Sequence, residues 1–188
     1  HRFLGIPCAL ATPSTITLYQ SPMHLEHSLV IGVSQSGKAE DGLAVLKSGN
    51  QAKTITVAVT NDPASPMAKE AKYHLFCGAG PEVSIAATKT FTSQMYLLAL
   101  LCAEWAQNEK LAALLDKIPS LVSELLDSMP GQIETIVSRY RYLDDAFILG
   151  RGMAYPIALE GALKILETNK IRVRGYASSD FHHGPMAQ

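Results

Sequence analysis

Leu29-Val-Ile-Gly-Val-Ser-Gln-Ser-Gly37 decides how this chain is read. Five largely apolar residues form the pattern of a buried strand. They run into Ser34, Gln35, Ser36 and Gly37, and a helical pattern follows over residues 38–48, with Leu43, Ala44 and Leu46 apolar. A strand, a turn of small hydroxyl residues and a helix N-terminus together predict an anion site. The first N–H groups of a helix lack internal partners, and the helix dipole favours negative charge there. Ser34 and Ser36 add hydroxyl donors, Gln35 adds an amide, and Gly37 lets the backbone turn close to a ligand. The spacing matches neither the P-loop nor the dinucleotide fingerprint. A serine-capped helix after a strand explains the same residues without a ligand.

Further along, the β-branched run 54–59 predicts a second buried strand and residues 73–77 a third. Helices are predicted at 66–72 and 88–107, with Gly49-Asn50 stopping the first helix. Residues 6–10 read as a short strand before a loop at 12–15. From 110 to 142 only helical patterns occur, with Pro119 and Pro130-Gly131 as breaks. Strand and helix patterns then resume at 146–149, 155–169 and 171–176, and Ser178-Ser179-Asp180 reads as the cap of a short helix. Alternating strands and helices predict an α/β, three-layer αβα fold with a mostly parallel sheet. Ligands in such sheets lie beyond the carboxyl ends of strands. Residues 34–37, 61–62, 78–81 and 150–152 all follow predicted strands.

Composition narrows the partners. The 188 residues are 47% hydrophobic and 18% charged, with net charge −1. That balance suits a globular domain and argues against disorder. No basic run interleaves with aromatics, so nucleic acid is not an expected partner. The longest apolar run, 95–103, is too short to span a bilayer. Cys8, Cys77 and Cys102 form no C-x-x-C pair and sit among apolar residues, which predicts buried thiols and a cytoplasmic setting. The opening at His1-Arg2-Phe3 and the stop just after His183-Gly184-Pro185 read as cut ends of a longer polypeptide.

Two further blocks carry acid–base groups. Glu160, Lys164 and Glu167 are spaced i, i+4, i+7 and line one helical face. That face is either a solvated salt-bridge stripe or a partly buried set. In the second case Lys164 holds a neighbouring charge and Glu167 carries a proton, the chemistry of enolisation. His182 and His183 precede a Gly-Pro turn. Histidine suits proton transfer near neutral pH, and two adjacent histidines point different ways, so joint metal ligation is not expected. A glycine-rich block, Gly78-Ala-Gly-Pro-Glu82 through Thr90, has small residues that allow backbone approach to a ligand, or serves as a connecting loop.

Taken in order, Ser-Gln-Ser-Gly, Gly-Pro-Glu-x-x-x-Ala-Ala-Thr-Lys, Glu-Gly-Ala-Leu-Lys-x-x-Glu and His-Gly-Pro resemble the tandem sugar isomerase (SIS) domain family. The family includes the isomerase half of glutamine–fructose-6-phosphate aminotransferases and SIS-type glucosamine-6-phosphate deaminases. The resemblance implies two flavodoxin-like SIS domains, each with a parallel sheet, of which this chain covers parts: 1–108 in the first domain, 109–143 a helical connection, and 144–188 the start of the second. The family's first strand would precede His1.

By the same resemblance Ser34, Gln35, Ser36 and Gly37 contact phosphate and sugar, and Ile85 and Ala87 face the ligand. Glu167 shuttles a proton between C1 and C2, with Lys164 one turn before it and Glu160 opening the motif. His183 acts in ring opening and reaches the sugar of a partner subunit in a homodimer. The implied ligand is a fructose-6-phosphate or glucosamine-6-phosphate class sugar phosphate, and no metal or organic cofactor is implied. Aminotransferase members read Ser-Gln-Ser-Gly-Glu-Thr where this chain has Lys38-Ala39, and have serine at Ala87. Those departures point to the deaminase or isomerase branch. A non-catalytic phosphosugar sensor and an ammonia-fed aminotransferase are the rival readings.

Overall fold

The computed structural model describes residues 3–19 and 23–187. His1 and Arg2, at the opening singled out above, lie outside them. The chain divides into two compact units, residues 1–83 with 87–119, and residues 84–86 with 120–188.

The first element of the first unit is a helix, α1 (Pro13–Tyr19), and no strand precedes it among the described residues. The strand expected at 6–10 is absent, and the loop expected at 12–15 is largely the start of α1. Pro7 cannot donate to a ladder, and residues 5–12 are exposed. Pro13 suits the first helical position, because its missing N–H would have no partner there. Three parallel strands follow, β1 (Leu29–Ser34), β2 (Ile55–Thr60) and β3 (Tyr73–Phe76), in the order β1-β2-β3. Their registers pair Ser34 with Thr60 and Thr60 with Phe76, so three loops leave one edge side by side. The central strand is the most buried, with Val57, Ala58 and Val59 inside. That is why its β-branched run was readable.

The crossover helices are α2 (Glu40–Gln51) and α3 (Pro66–Glu70). Leu46, Ala58 and Met67 form the core between helices and sheet. Helix α2 runs past Gly49, the expected stop. A Cβ on Gly49 would lie 2.8 Å from Thr56 Cγ2, so this glycine serves close helix–sheet packing. The helix ends at Ala52, and Lys53 turns the chain with φ 57°. Helices α4 (Lys89–Trp105) and α5 (Glu109–Leu115) complete the unit; Asn108 caps α5 by accepting from Leu111 N–H at 3.0 Å.

Helix α6 (Ile118–Val137) starts afresh after α5 ends at Leu115, so the break expected at Pro119 is present, but it runs on through Pro130 and Gly131, where a second break was expected. Pro119 occupies the second helical position, where no N–H is needed. Pro130 removes one bond from a helix with no buried residue, where water can satisfy the released carbonyl. The second unit then pairs β4 (Asp145–Gly150) and β5 (Arg172–Ala177) in parallel through α7 (Tyr155–Asn169). Ala158 and Ala162 are buried, and Cβ atoms on Gly150 or Gly175 would strike the backbone of Ala154 or Ala158. Small residues thus bring α7 close to its sheet. A short helix, α8 (Ser178–Phe181), is anchored by the Phe147, Tyr176 and Phe181 rings, whose centroids lie 5.3–6.0 Å apart. Its N-cap is Ala177, and no serine side chain caps it.

The cysteines differ from expectation: Cys8 is exposed and Cys77 and Cys102 are half-buried. Cys8 lies in the exposed segment before α1. No helix among the described residues is long and apolar enough to cross a membrane.

Candidate functional site

The turn after β1 is held by its own backbone. Gly37 N–H donates to Ser34 Oγ at 3.1 Å, and Lys38 N–H donates to Ser36 Oγ at 3.4 Å. Each serine oxygen thereby accepts a bond and keeps its hydroxyl proton free to donate, the combination an incoming oxyanion needs. Gly37 has φ +63°, and a Cβ there would lie 2.3 Å from Ser65 Oγ and 2.6 Å from Ser65 Cβ. Glycine is demanded twice, by backbone angle and by space. Gly37→Ala should therefore destabilise the protein by roughly 2–4 kcal/mol, from left-handed strain plus overpacking. Urea denaturation checks this; an unchanged midpoint would show that Ser65 moves aside.

Below the turn lies a polar floor. Thr60, fully buried at the end of β2, contacts His74 Nε2 at 2.9 Å and donates to the Asp62 carbonyl at 3.0 Å. Ser65 caps α3 by accepting from Ala68 N–H at 3.3 Å. Met67 N–H donates to Gly37 O at 3.1 Å, and Asn61 N–H to Gln35 O at 3.0 Å. The turn is thus fixed from β2 and from α3.

One expectation is corrected. The helix does not start directly at Lys38; α2 opens at Glu40, with Ala39 as an N-cap lacking a side-chain bond. Glu40 and Asp41 occupy its first turn, so the positive helix end already faces carboxylates. What residues 34–37 can offer an anion is therefore the serine hydroxyls and neighbouring Lys38 more than the helix dipole.

In the glycine-rich loop, Ile85 is 97% exposed and Ala87 half-buried. Glu82 is the ordered group here. Its Oε2 accepts from Thr90 Oγ1 at 2.8 Å, Thr90 N–H at 3.1 Å and Thr88 N–H at 3.3 Å. The Thr90 backbone bond, then its hydroxyl, hold the Glu82 carboxyl below its ordinary pKa. Sequence reading passed over this role; its only local signal is a glutamate six and eight residues before two threonines at a helix start.

In the second unit α7 places Glu160, Lys164 and Glu167 on one face. Lys164 Nζ lies 2.7 Å from Glu167 Oε2 and 3.5 Å from Glu160 Oε1, with side-chain exposures of 22%, 29% and 21% respectively. The stripe is a partly buried, closed triad with one cation between two carboxylates. Hydrogen bonding to Glu167 is the main cause that raises the Lys164 pKa above its ordinary value. That part of the ion pair is present below the usual lysine pKa and is lost only as pH rises through the raised value.

His183 and His182 have different surroundings. His183 is exposed, its N–H donates to Asp180 O at 3.0 Å, and Gly184 after it has φ +148°. His182 stacks edge-on against Phe181, with centroids 6.3 Å apart, and lines a recess of about 340 Å³ with Arg151, Ser178 and Ser179. Among the described residues no three His, Cys, Asp or Glu side chains gather as metal ligands. Within the first unit, then, residues 34–37 form one cradle; within the second, Glu160, Lys164 and Glu167 form one triad, and His183 stands on the segment after β5.

Parallel αβα units with a serine-bearing turn after the first strand of the sheet define a class of α/β domain. Comparison with known proteins agrees. The SIS domain model matches residues 7–103 and 144–188, and the chain belongs to the SIS domain family. It is 38% identical over its whole length to the glutamine–fructose-6-phosphate aminotransferase of Aquifex aeolicus and 34% identical, over 97% of its length, to that of Escherichia coli. It spans 31% of the length of each of these curated relatives. Among solved structures, it is similar to a proposed phosphosugar isomerase from Silicibacter pomeroyi (TM-score 0.88, 34% identity, 98% of this chain and 55% of that one). It also resembles the C-terminal domain of glucosamine-fructose-6-phosphate aminotransferase from Francisella tularensis (TM-score 0.87, 28% identity, 99% and 55%).

Proposed function

We propose that this chain is the phosphosugar-handling part of an enzyme acting on a hexose or hexosamine 6-phosphate, with aldose–ketose interconversion and loss or gain of an amino group. The observation that carries the reading is the closed Lys164–Glu167 pair at 2.7 Å. A phosphosugar sensor needs a cradle but has no use for a partly buried carboxylate held against a cation. In this reading Ser34, Gln35, Ser36 and Gly37 hold the phosphate, and Ile85, Ala87 and Glu160 help place the sugar. Glu167, paired with Lys164 Nζ at 2.7 Å, moves a proton between C1 and C2 through an enediol or enolamine. His183 assists ring opening, on the sugar of a partner subunit in a homodimer. Residues 1–108 belong to a first SIS domain and 144–188 open a second. The relatives that are glutamine–fructose-6-phosphate aminotransferases favour aminotransfer as the second reading.

The cradle is tested by calorimetry with fructose 6-phosphate on the full-length protein. Ser34→Ala and Ser36→Ala should each weaken binding by about 1.5–3 kcal/mol, the worth of one charge-assisted hydrogen bond. Ser34→Ala should cost more, because it also leaves Gly37 N–H without its acceptor. Unchanged affinity in both variants would move the phosphate elsewhere.

A further inference from the structure

We infer that Asn61 and Glu82 are positioning residues that pin the glycine-rich loop at its two ends, Asn61 tying the first end to the phosphate cradle, an inference that rests on the sugar-phosphate reading above. Asn61 follows β2, in the middle of the sheet edge. Its backbone N–H donates to Gln35 O of the cradle at 3.0 Å. Its side chain donates from Nδ2 to Gly80 O at 2.7 Å and accepts Ala79 N–H at Oδ1 at 3.0 Å. One residue therefore joins the loop after β1 to the loop after β3. A side-chain amide carries its donor and its acceptor on separate atoms, so it can make both bonds at once.

Glu82 closes the other end. Thr88 and Thr90 lie at the start of α4, where N–H groups have no helical acceptor, and Thr88 supplies no side-chain cap. The carboxylate of Glu82 takes both N–H groups and the Thr90 hydroxyl on a single oxygen. Thr90 is fully buried, so this end is anchored in the unit. Between the two fixed ends runs the segment 83–87, where Val83 and Ile85 are 91% and 97% exposed. A helix cap alone would account for Glu82, but not for a second clamp that also grips the cradle. Holding both ends removes backbone freedom before a ligand arrives, which lowers the entropic cost of binding.

The test uses the full-length protein with two probes, inorganic phosphate and fructose 6-phosphate. The side chains of Asn61 and Glu82 do not hold residues 34–37; only the Asn61 backbone does. Asn61→Ala and Glu82→Ala should each weaken fructose 6-phosphate binding about tenfold, while phosphate changes by less than about twofold. Glu82→Gln, whose amide oxygen accepts the same bonds, should recover most of the loss. Asn61→Asp, which still accepts from Ala79 but cannot donate to Gly80, should recover less. Amide hydrogen exchange at residues 88 and 90 should speed up in Glu82→Ala. Equal losses for both probes would mean general loosening and would overturn the inference, as would unchanged sugar-phosphate affinity or no rescue by Glu82→Gln. If the wild-type protein binds neither probe, the cradle reading itself fails and takes this one with it. If it binds both and the alanine variants match it, only the positioning role fails.

Discussion

Glu167→Gln is expected to slow exchange of the C1 or C2 hydrogen of a bound hexose 6-phosphate with deuterated water by about 10²–10⁴-fold, the usual worth of a positioned general base. The amide keeps the size of the side chain and can still accept from Lys164 Nζ, so sugar-phosphate binding should stay near wild type. A loss confined to the proton-transfer step marks an interaction made in the transition state. Glu167 is preferred to Glu160 on geometry as well as on resemblance. Its oxygen lies 2.7 Å from the shared lysine, against 3.5 Å for Glu160. The closer carboxylate is the better held, and a cation beside it supports negative charge that develops on a neighbouring oxygen. Lys164 remains charged across the ordinary working range, because its pKa is raised above the usual lysine value. An alkaline limb in the rate near neutral pH should therefore not come from Lys164. Loss of exchange in Glu160→Gln with retention in Glu167→Gln would reverse the assignment.

What could be read in the sequence was whatever depends on short spacing. The β2 run is β-branched because the strand is buried, and the bounds of α7 follow from its 3.6-residue repeat, so the αβα class and the Glu160–Lys164–Glu167 face were both legible. Errors arose where a local signal was overruled by neighbours. Gly49 looks like a helix stop, yet it is there because Thr56 and Val30 press against it. Residues 6–10 look like a strand, yet all five are exposed and Pro7 lacks the N–H a ladder needs. Pro130 looks like a break, yet its helix is too exposed for one lost bond to end it. The deeper omissions are long-range: Asn61 reaches Gly80 across 19 positions, and Phe147 meets Phe181 only because β4 and β5 are paired. Nothing within a ten-residue window encodes either contact. The sequence also placed the cradle against a helix start that lies further on, since Lys38 and Ala39 stay outside α2.

His183→Asn is expected to lower turnover of a cyclic hexose 6-phosphate by about 10²-fold or more, with a much smaller effect on an acyclic analogue. Ring opening needs a proton moved between the ring oxygen and the anomeric hydroxyl, and an acyclic substrate omits that step. His182→Asn should be close to neutral for both substrates. The geometry makes this a demanding test, because both histidines are exposed and it is His182, not His183, that borders the recess with Arg151, Ser178 and Ser179. An exposed histidine held by Asp180 O and followed by a left-handed glycine is suited to act on a ligand outside its own unit. That favours a sugar bound to another subunit over one bound in the recess. Mixing Glu167→Gln and His183→Asn proteins separates these arrangements. If each site draws Glu167 from one chain and His183 from the other, dimers containing one of each should regain activity, since one of their two sites receives both intact groups. No recovery in dimers shown to have exchanged subunits would place both groups in the same chain. A large effect of His182→Asn instead would move ring opening to the recess.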